Sequence, residues 1–145
     1  MAPPDLEPVL WVGWYITLYN RKERSMRLLL YVGALVFLFS FIPLFLSFHY
    51  FDCLVRYQHE HCHDDWIRDG KPTGIFWIPP NHVPFEGRLS RNYLMGALLF
   101  FNKQWIDSNA DMRYARRKYR FFTLCTYLSY SIFLAIMLAY TYYGK

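Results

Sequence analysis

Two long apolar runs dominate the chain, and neither contains a formal charge. Residues 28–49 read LLLYVGALVFLFSFIPLFLSFH and residues 121–143 read FFTLCTYLSYSIFLAIMLAYTYY. As helices with a rise of 1.5 Å per residue, each run would be about 33–35 Å long, enough to cross a hydrocarbon core of about 30 Å. A chain of 145 residues could hardly cover two such helices on every side. The pattern predicts an all-α membrane protein in which residues 28–49 and 121–143 form a two-pass transmembrane helical hairpin.

The remaining positions form two segments of different character. Residues 1–27 begin with a Pro-rich lead, followed by an apolar stretch too short to span a bilayer and then by four cations. Trp11 and Trp14 in this stretch are typical of a helix at the membrane interface, or of one that packs on a partner subunit. Residues 50–120 are mixed in polarity and are predicted to form a small extramembrane helical subdomain. It is too small to bury a large core alone, so we expect it to lean on the bilayer or on other subunits.

Helical periodicity continues beyond the first run, which predicts extended juxtamembrane helices. Five apolar residues recur at helical spacing, namely Phe51, Leu54, Val55, Cys62 and Trp66. Asp69-Gly70 should end this helix, with Gly70 in the left-handed cap position. We expect an ordered loop over residues 70–87 and a further helix from Leu89 to about Trp105. The last helix should begin at a cap formed by Asp107, Ser108 or Asn109 and continue into the second span.

Small residues are regularly spaced in both spans. They are Gly33, Ser40 and Ser47 in the first span, and Ser131, Ala135 and Ala139 in the second. Small side chains on one stripe let another helix approach closely. We therefore predict that the two stripes face each other within the hairpin.

The formal net charge is +5, and residues 50–120 contain more Lys and Arg than Asp and Glu. Five cations lie just before the second span: Arg113, Arg116, Arg117, Lys118 and Arg120. Their position beside a span favours anionic lipid headgroups over nucleic acid as the partner. The larger share of positive charge then places residues 50–120 in the cytoplasm by the positive-inside rule.

Residues 59–65, HEHCHDD, are the strongest candidate for metal chemistry. His59 and His63 are four residues apart, a spacing that places two metal ligands on one face of a helix. A third and a fourth ligand are not evident from the sequence. The competing interpretation is a solvated polar face on a juxtamembrane helix, and we favour it.

The order of segments resembles the small two-pass bacterial membrane proteins of the universal stress protein B type. The resemblance covers about residues 28–143 and is carried by LVRYQHEHCHDDWIRDGKPTGIFW and by RYARRKYRFF. Its loop positions are Asp69, Gly70, Pro72, Gly74 and Phe76. The chain departs from the family in its aromatic, basic N-terminal extension and its longer Pro-rich loop. The resemblance implies an inner-membrane location and supplies no site residues.

The aromatic content exceeds what so short a chain can bury, with thirteen Tyr, thirteen Phe and five Trp. We therefore predict a non-enzymatic accessory or scaffold subunit that docks on a larger membrane complex, such as an energy-converting or pigment-protein assembly. The predicted anchors are Trp11, Trp14, Phe76 and Trp77, and no cofactor is expected apart from structural lipids. The alternatives are a metal- or haem-binding redox protein that uses His59 and His63, and a free-standing stress-response membrane protein.

Overall fold

The computed structural model describes residues 7–80 and 87–143, with the backbone alone described for residues 7–17 and Lys22. The described residues form helices without strands: α1 (Glu7–His61), α2 (His63–Arg68), α3 (Arg88–Phe100), α4 (Gln104–Asp107) and α5 (Ala110–Tyr143). The prediction of an all-α fold is confirmed for this part of the chain.

α1 is one uninterrupted helix that joins the N-terminal segment to the first apolar run. A separate interfacial helix was expected before residue 28, but the backbone is helical from Glu7 onward. Pro8 fits because a first-turn N–H has no partner within the helix. α1 ends at His61, and Cys62 has φ −133° and ψ 52°. The prediction of one helix as far as Asp69 is therefore wrong at Cys62, where the chain bends before α2.

Among the described residues, two helices are long and apolar enough to cross a membrane: α1, from Leu18 onward, and α5. Only 11% of the most apolar window of α1 and 6% of that of α5 are buried within the chain. Apolar helices in the core of a soluble protein have most of their surface covered. Here the apolar side chains point outward.

The chain divides into two compact units, the first of which we call the terminal unit (residues 7–38 and 129–143 as described). In the terminal unit α1 packs against α5 at Gly33, where an added Cβ would lie 3.2 Å from the Cγ2 atom of Ile136. The Phe37 ring lies 5.1 Å from the Phe133 ring and 6.4 Å from the Tyr130 ring, measured between centroids. Aromatic side chains therefore form most of this contact.

The second unit, which we call the central unit, comprises residues 39–80 and 87–128. Its buried core comes from α1, α3, α4 and α5: Phe51, Leu54, Val55, Leu94, Leu98, Trp105, Ile106, Ala115 and Tyr119. The apolar face predicted at Phe51, Leu54 and Val55 is confirmed, since all three are fully buried. Tyr50 stacks on Phe122 with ring centroids 5.8 Å apart, which pairs α1 with α5 beside this core.

The predicted helix ends are confirmed at two of the three places tested. Gly70 has φ +82°, and the N–H groups of Gly70 and Lys71 donate to the carbonyls of Ile67 and Trp66 at 3.0 and 2.9 Å. This is the Schellman pattern of a helix C-terminus. At α5, the Oδ1 atom of Asn109 accepts a hydrogen bond from the N–H of Asp111 at 2.8 Å. α3, however, ends at Phe100 rather than near Trp105.

Candidate functional site

A buried carboxylate on α1 holds the loop that follows α2. Asp52 is only 8% exposed. Its Oδ1 atom accepts a hydrogen bond from the N–H of Ile75 at 2.6 Å, and its Oδ2 atom accepts from those of Phe76 and Trp77 at 2.8 and 2.9 Å. Successive N–H groups that converge on one anion form a backbone nest, and here the anion belongs to the protein itself. Because the acceptor is charged, these bonds are stronger than bonds between neutral groups.

Gly74 allows the loop to approach this carboxylate. A Cβ at Gly74 would lie 2.6 Å from the Oδ1 atom of Asp52 and 2.7 Å from the carbonyl oxygen of Trp77. The N–H of Gly74 donates to that same carbonyl at 2.9 Å, which closes a tight turn. From α3, the guanidinium of Arg91 donates a hydrogen bond to the carbonyl of Gly74 at 3.4 Å. The loop is thus attached to both α1 and α3.

The two aromatic residues predicted as loop anchors lie in different environments. Phe76 is 64% exposed, and its ring centroid lies 6.3 Å from that of Phe45 and 6.2 Å from that of Phe48. Trp77 is half-buried and lies 5.5 Å from the His59 ring. Of the two, Phe76 is the one available to a partner. Trp11 and Trp14 belong to α1, but their side chains lie outside the described part of the structure.

His59 and His63 are close together, and they pack among indole rings. The His59 ring lies 5.5 Å from the His63 ring and 4.7 Å from that of Trp66, while His63 stacks on Trp66 at 5.2 Å. The indole Nε1–H of Trp66 donates to the carbonyl of Pro72 at 2.9 Å, which fixes the ring under the loop. The cluster links the end of α1, α2 and the loop. Its evident role in the described structure is packing.

Residues 59–63, HEHCH, also fit the H-E-x-x-H pattern, in which two histidines bind zinc and the glutamate acts as general base. In the structure the helix is interrupted at Cys62, between the two histidines. The carboxylate of Glu60 accepts a hydrogen bond from the Nε atom of Arg56 at 2.8 Å. Within residues 7–80 and 87–143, no three His, Cys, Asp or Glu side chains are grouped so that they could hold a metal ion. Metal binding by His59 and His63 stays a prediction.

A second acidic residue connects three elements of the central unit. The carboxylate of Asp69, at the end of α2, accepts hydrogen bonds from the Nε2 atom of Gln58 and the Nζ atom of Lys103, both at 2.8 Å. The side chains of Lys103 and Asp69 are 21% and 8% exposed. Such an ion pair is better shielded from water and salt than the surface pair of Arg56 with Glu60.

Two of the arginines predicted to bind lipid headgroups bind the C-terminal end of α3. The Nε atom of Arg116 donates to the Leu98 carbonyl at 3.3 Å, and its Nη2 atom donates to that of Phe101. Arg120 donates to the same two carbonyls at 2.8 and 3.4 Å. Carbonyls at a helix C-terminus lack partners within the helix and attract cations. Arg116 is 6% exposed, so its side chain is engaged with α3 in this structure, and headgroup binding stays a prediction.

The other three basic residues remain near the surface. Arg117 is exposed, Arg113 donates to the Asp107 carbonyl at 2.6 Å, and the Lys118 ammonium lies 5.3 Å from the centre of the Tyr114 ring. These three residues, and the half-buried Arg120, are the members of the predicted headgroup set that retain exposed surface.

The small residues of the two spans are placed differently from each other. Gly33, Ser40 and Ser47 of α1 are buried, whereas Ser131 and Ala135 of α5 are exposed and Ala139 is half-buried. The α5 atoms nearest to Gly33 belong to Phe133 and Ile136. The predicted pairing of small stripes is therefore corrected for the terminal unit: bulky α5 side chains meet the small residue of α1.

The three cysteines, all within the described residues, form no disulfide. Burial raises the pKa of the Cys62 thiol, and the nearby charge of Asp65 raises it further. A raised pKa keeps the thiol protonated and therefore a poor nucleophile at neutral pH.

The sequence did not lead us to Asp52, the residue of α1 whose carboxylate accepts three hydrogen bonds from the loop backbone. One signal was present: an acidic residue directly after Phe51, at the edge of the helical face formed by Phe51, Leu54 and Val55. A carboxylate on a buried face requires hydrogen-bond donors, and a nearby tight turn with glycine can supply backbone N–H groups.

No protein-family model, curated protein or solved structure matches the chain.

Proposed function

We propose that the chain is a two-pass membrane protein of the inner membrane that serves as a non-catalytic accessory or scaffold subunit of a larger membrane assembly. The observation that carries the proposal is the exposure of both apolar helices, with only 11% and 6% of their most apolar windows buried. Apolar surface left in water costs roughly 25 cal/mol per Å². Lipid removes this cost without requiring any further protein contact.

The polar groups of the central unit support a structural role. The side chains of Asp52, Asp69 and Arg116 are all engaged with groups of the same chain. Their charges fix the loop and α3 in place. A rigid platform of this kind suits a subunit whose task is to present a surface to a partner.

The surface presented beside the first span is aromatic and aliphatic. Phe76 and Ile78 are 64% and 56% exposed on a loop whose backbone Asp52 fixes. Aromatic side chains on a preorganised backbone lose little entropy on binding, so they are effective anchors. We therefore propose these two residues as the contact with a larger subunit. The excess of Lys and Arg in residues 50–120 favours a cytoplasmic position for this contact.

The test is native purification of the tagged full-length chain in a mild detergent. We expect the chain to remain in the membrane pellet after alkaline extraction and then to migrate with larger subunits at a fixed stoichiometry. The double variant Phe76→Ser/Ile78→Ser should lose these subunits and stay folded. Ile67→Ser, which changes an apolar residue 48% exposed on α2, is the matched control and should retain them. Release of the wild type by alkaline extraction contradicts the membrane location, and migration as a small particle contradicts the accessory role.

A further inference from the structure

α3 leaves a second apolar face uncovered. Leu89, Tyr93 and Phe100 are 87%, 68% and 79% exposed. With Gly96 they occur at i, i+4, i+7 and i+11, which is a single stripe along the helix. An added Cβ at Gly96 would meet nothing within 4 Å, so the stripe is open along its whole length.

The stripe is distinct from the buried face of α3 and from its polar face. Leu94, Ala97 and Leu98 face the core of the central unit. Arg88 and Asn92 are exposed, and each precedes a stripe residue by one position, which turns its side chain about 100° away. α3 thus has one side in the core and one apolar side outside, with an exposed polar side at Arg88 and Asn92 in its first half; further along that side, Met95 and Leu99 pack against the core. A helix with adjacent exposed apolar and polar sides is typical of an element that lies at a membrane surface.

The attachments of α3 place it beside the ends of both uncharged runs. Near its start, Arg91 contacts the Gly74 carbonyl in the loop held by Asp52. Asp52 lies three residues beyond the first uncharged run, which ends at His49. Near its end, the Leu98 carbonyl accepts from Arg120, the residue directly before the run that begins at Phe121. Three residues of helix correspond to about 4.5 Å along its axis.

These two attachments lie at the same level along the paired helices. Phe51 of α1 contacts Tyr119 of α5 with ring centroids 5.8 Å apart, so Asp52 and Arg120 flank one contact layer. Between them, the Tyr119 hydroxyl donates to the Met95 carbonyl in the middle of α3 at 3.0 Å. α3, about 20 Å long, is thus attached to both α1 and α5 near this layer.

We infer that α3 is an in-plane membrane helix whose stripe of Leu89, Tyr93, Gly96 and Phe100 inserts into the lipid surface around the proposed spans. The inference rests on the proposed membrane location. The occupant of the stripe is phospholipid, because the helix lies beside the end of the first uncharged run and the start of the second. The exposed Arg88 precedes the stripe residue Leu89. Arg117 and Lys118, next to the same boundary, add positive charge near anionic headgroups.

The inference is tested with spin labels on the full chain in phospholipid vesicles. Cys53, Cys62 and Cys125 are first replaced by Ala, and circular dichroism checks that the helix content is retained. Single cysteines are then introduced as Tyr93→Cys and Phe100→Cys on the stripe. The matched control is Asn92→Cys, one residue away on the polar side. Phe39→Cys, at the middle of the first uncharged run and 64% exposed, is the lipid reference.

We expect labels at residues 93 and 100 to collide with dissolved oxygen more often than with a water-soluble nickel chelate, as at residue 39. The label at residue 92 should show the reverse preference, with a several-fold difference in the ratio of the two collision rates. If residue 39 reports lipid while residue 93 reports water, the inference is wrong and the membrane location stands. If residue 93 is immobilised and shielded from both reagents, a second copy of the chain covers the stripe, which also overturns the inference. If residue 39 itself reports water, the proposed membrane location fails.

Discussion

The carboxylate of Asp52 accepts a hydrogen bond from the backbone N–H of Trp77, which lies 25 positions later in the chain. The same carboxylate binds the N–H groups of Ile75 and Phe76. One side chain on α1 therefore determines the path of the loop that carries the exposed Phe76 ring. The position of the proposed anchor depends on this carboxylate together with the attachment of the loop to Arg91 of α3.

Replacing Asp52 with Asn should destabilise the central unit by about 2–3 kcal/mol, because hydrogen bonds to a charged acceptor are lost and a buried donor is left without a partner. The measurement is denaturant unfolding in detergent micelles, followed by tryptophan fluorescence. Asp64→Asn, which changes an exposed carboxylate on α2, is the control and should stay within about 0.5 kcal/mol of the wild type. Equal stability of the two variants would show that the Asp52 nest contributes nothing.

Two glycine substitutions should have opposite effects. Gly74→Ala places a methyl group 2.6 Å from the Oδ1 atom of Asp52, so we expect a loss of about 1–3 kcal/mol from overpacking. Gly96→Ala adds a methyl group in open space within α3 and should gain about 0.5–1 kcal/mol from lower backbone entropy in the unfolded chain. Thermal unfolding in one detergent compares the two variants directly. A stabilising Gly74→Ala would contradict the close approach of loop and carboxylate.

In the terminal unit, a bulky side chain should be harmful on α1 and tolerated on α5. Gly33→Leu must displace Ile136, whose Cγ2 atom would lie 3.2 Å from the first added carbon, and we expect the helices to separate. Ala135→Leu changes an exposed position and should leave the contact intact. Cross-linking between cysteines placed at Phe37 and Phe133 reports the separation as a lower yield. If Ala135→Leu lowers the yield instead, the small residues of α5 do face α1.

Cys62 should react slowly with iodoacetamide at neutral pH. Because burial and Asp65 raise the pKa of its thiol, the reactive thiolate forms only at a higher pH than in an unstructured peptide. The alkylation rate should therefore continue to rise with pH after a free cysteine has levelled off. The measurement uses the variant Cys53→Ala/Cys125→Ala. Adding Asp65→Asn should shift the profile toward lower pH, and an unshifted profile would remove Asp65 as a cause.

Much of the helical layout could be predicted from the sequence because it depends on local signals. The caps at Gly70 and Asn109, and the buried face at Phe51, Leu54 and Val55, follow from residue type and spacing over a few positions. The bend at Cys62 carries no such signal, since neither Gly nor Pro occurs there.

The contacts that form the candidate site could not be predicted in the same way. Asp52 and Arg116 bind backbone groups of distant segments, and every residue but proline carries an N–H group. Side-chain types therefore do not reveal which N–H groups or carbonyls a buried charge will meet. The predicted pairing of the small residues of α1 and α5 failed in the terminal unit for a related reason. Spacing identifies a face of a helix but not the neighbour that covers it.

The burial of Arg116 has a consequence for how such a chain would be assembled. During insertion into a membrane, positive charges beside a span help to retain that flank on the cytoplasmic side, before tertiary contacts exist. Arg116 and Arg120 would thus act first as topogenic signals and then, once α3 docks, as helix caps. Lysine at both positions would keep the orienting charge but lack the planar pair of N–H donors that caps α3. Such a variant would therefore separate the role in insertion from the later role in folding.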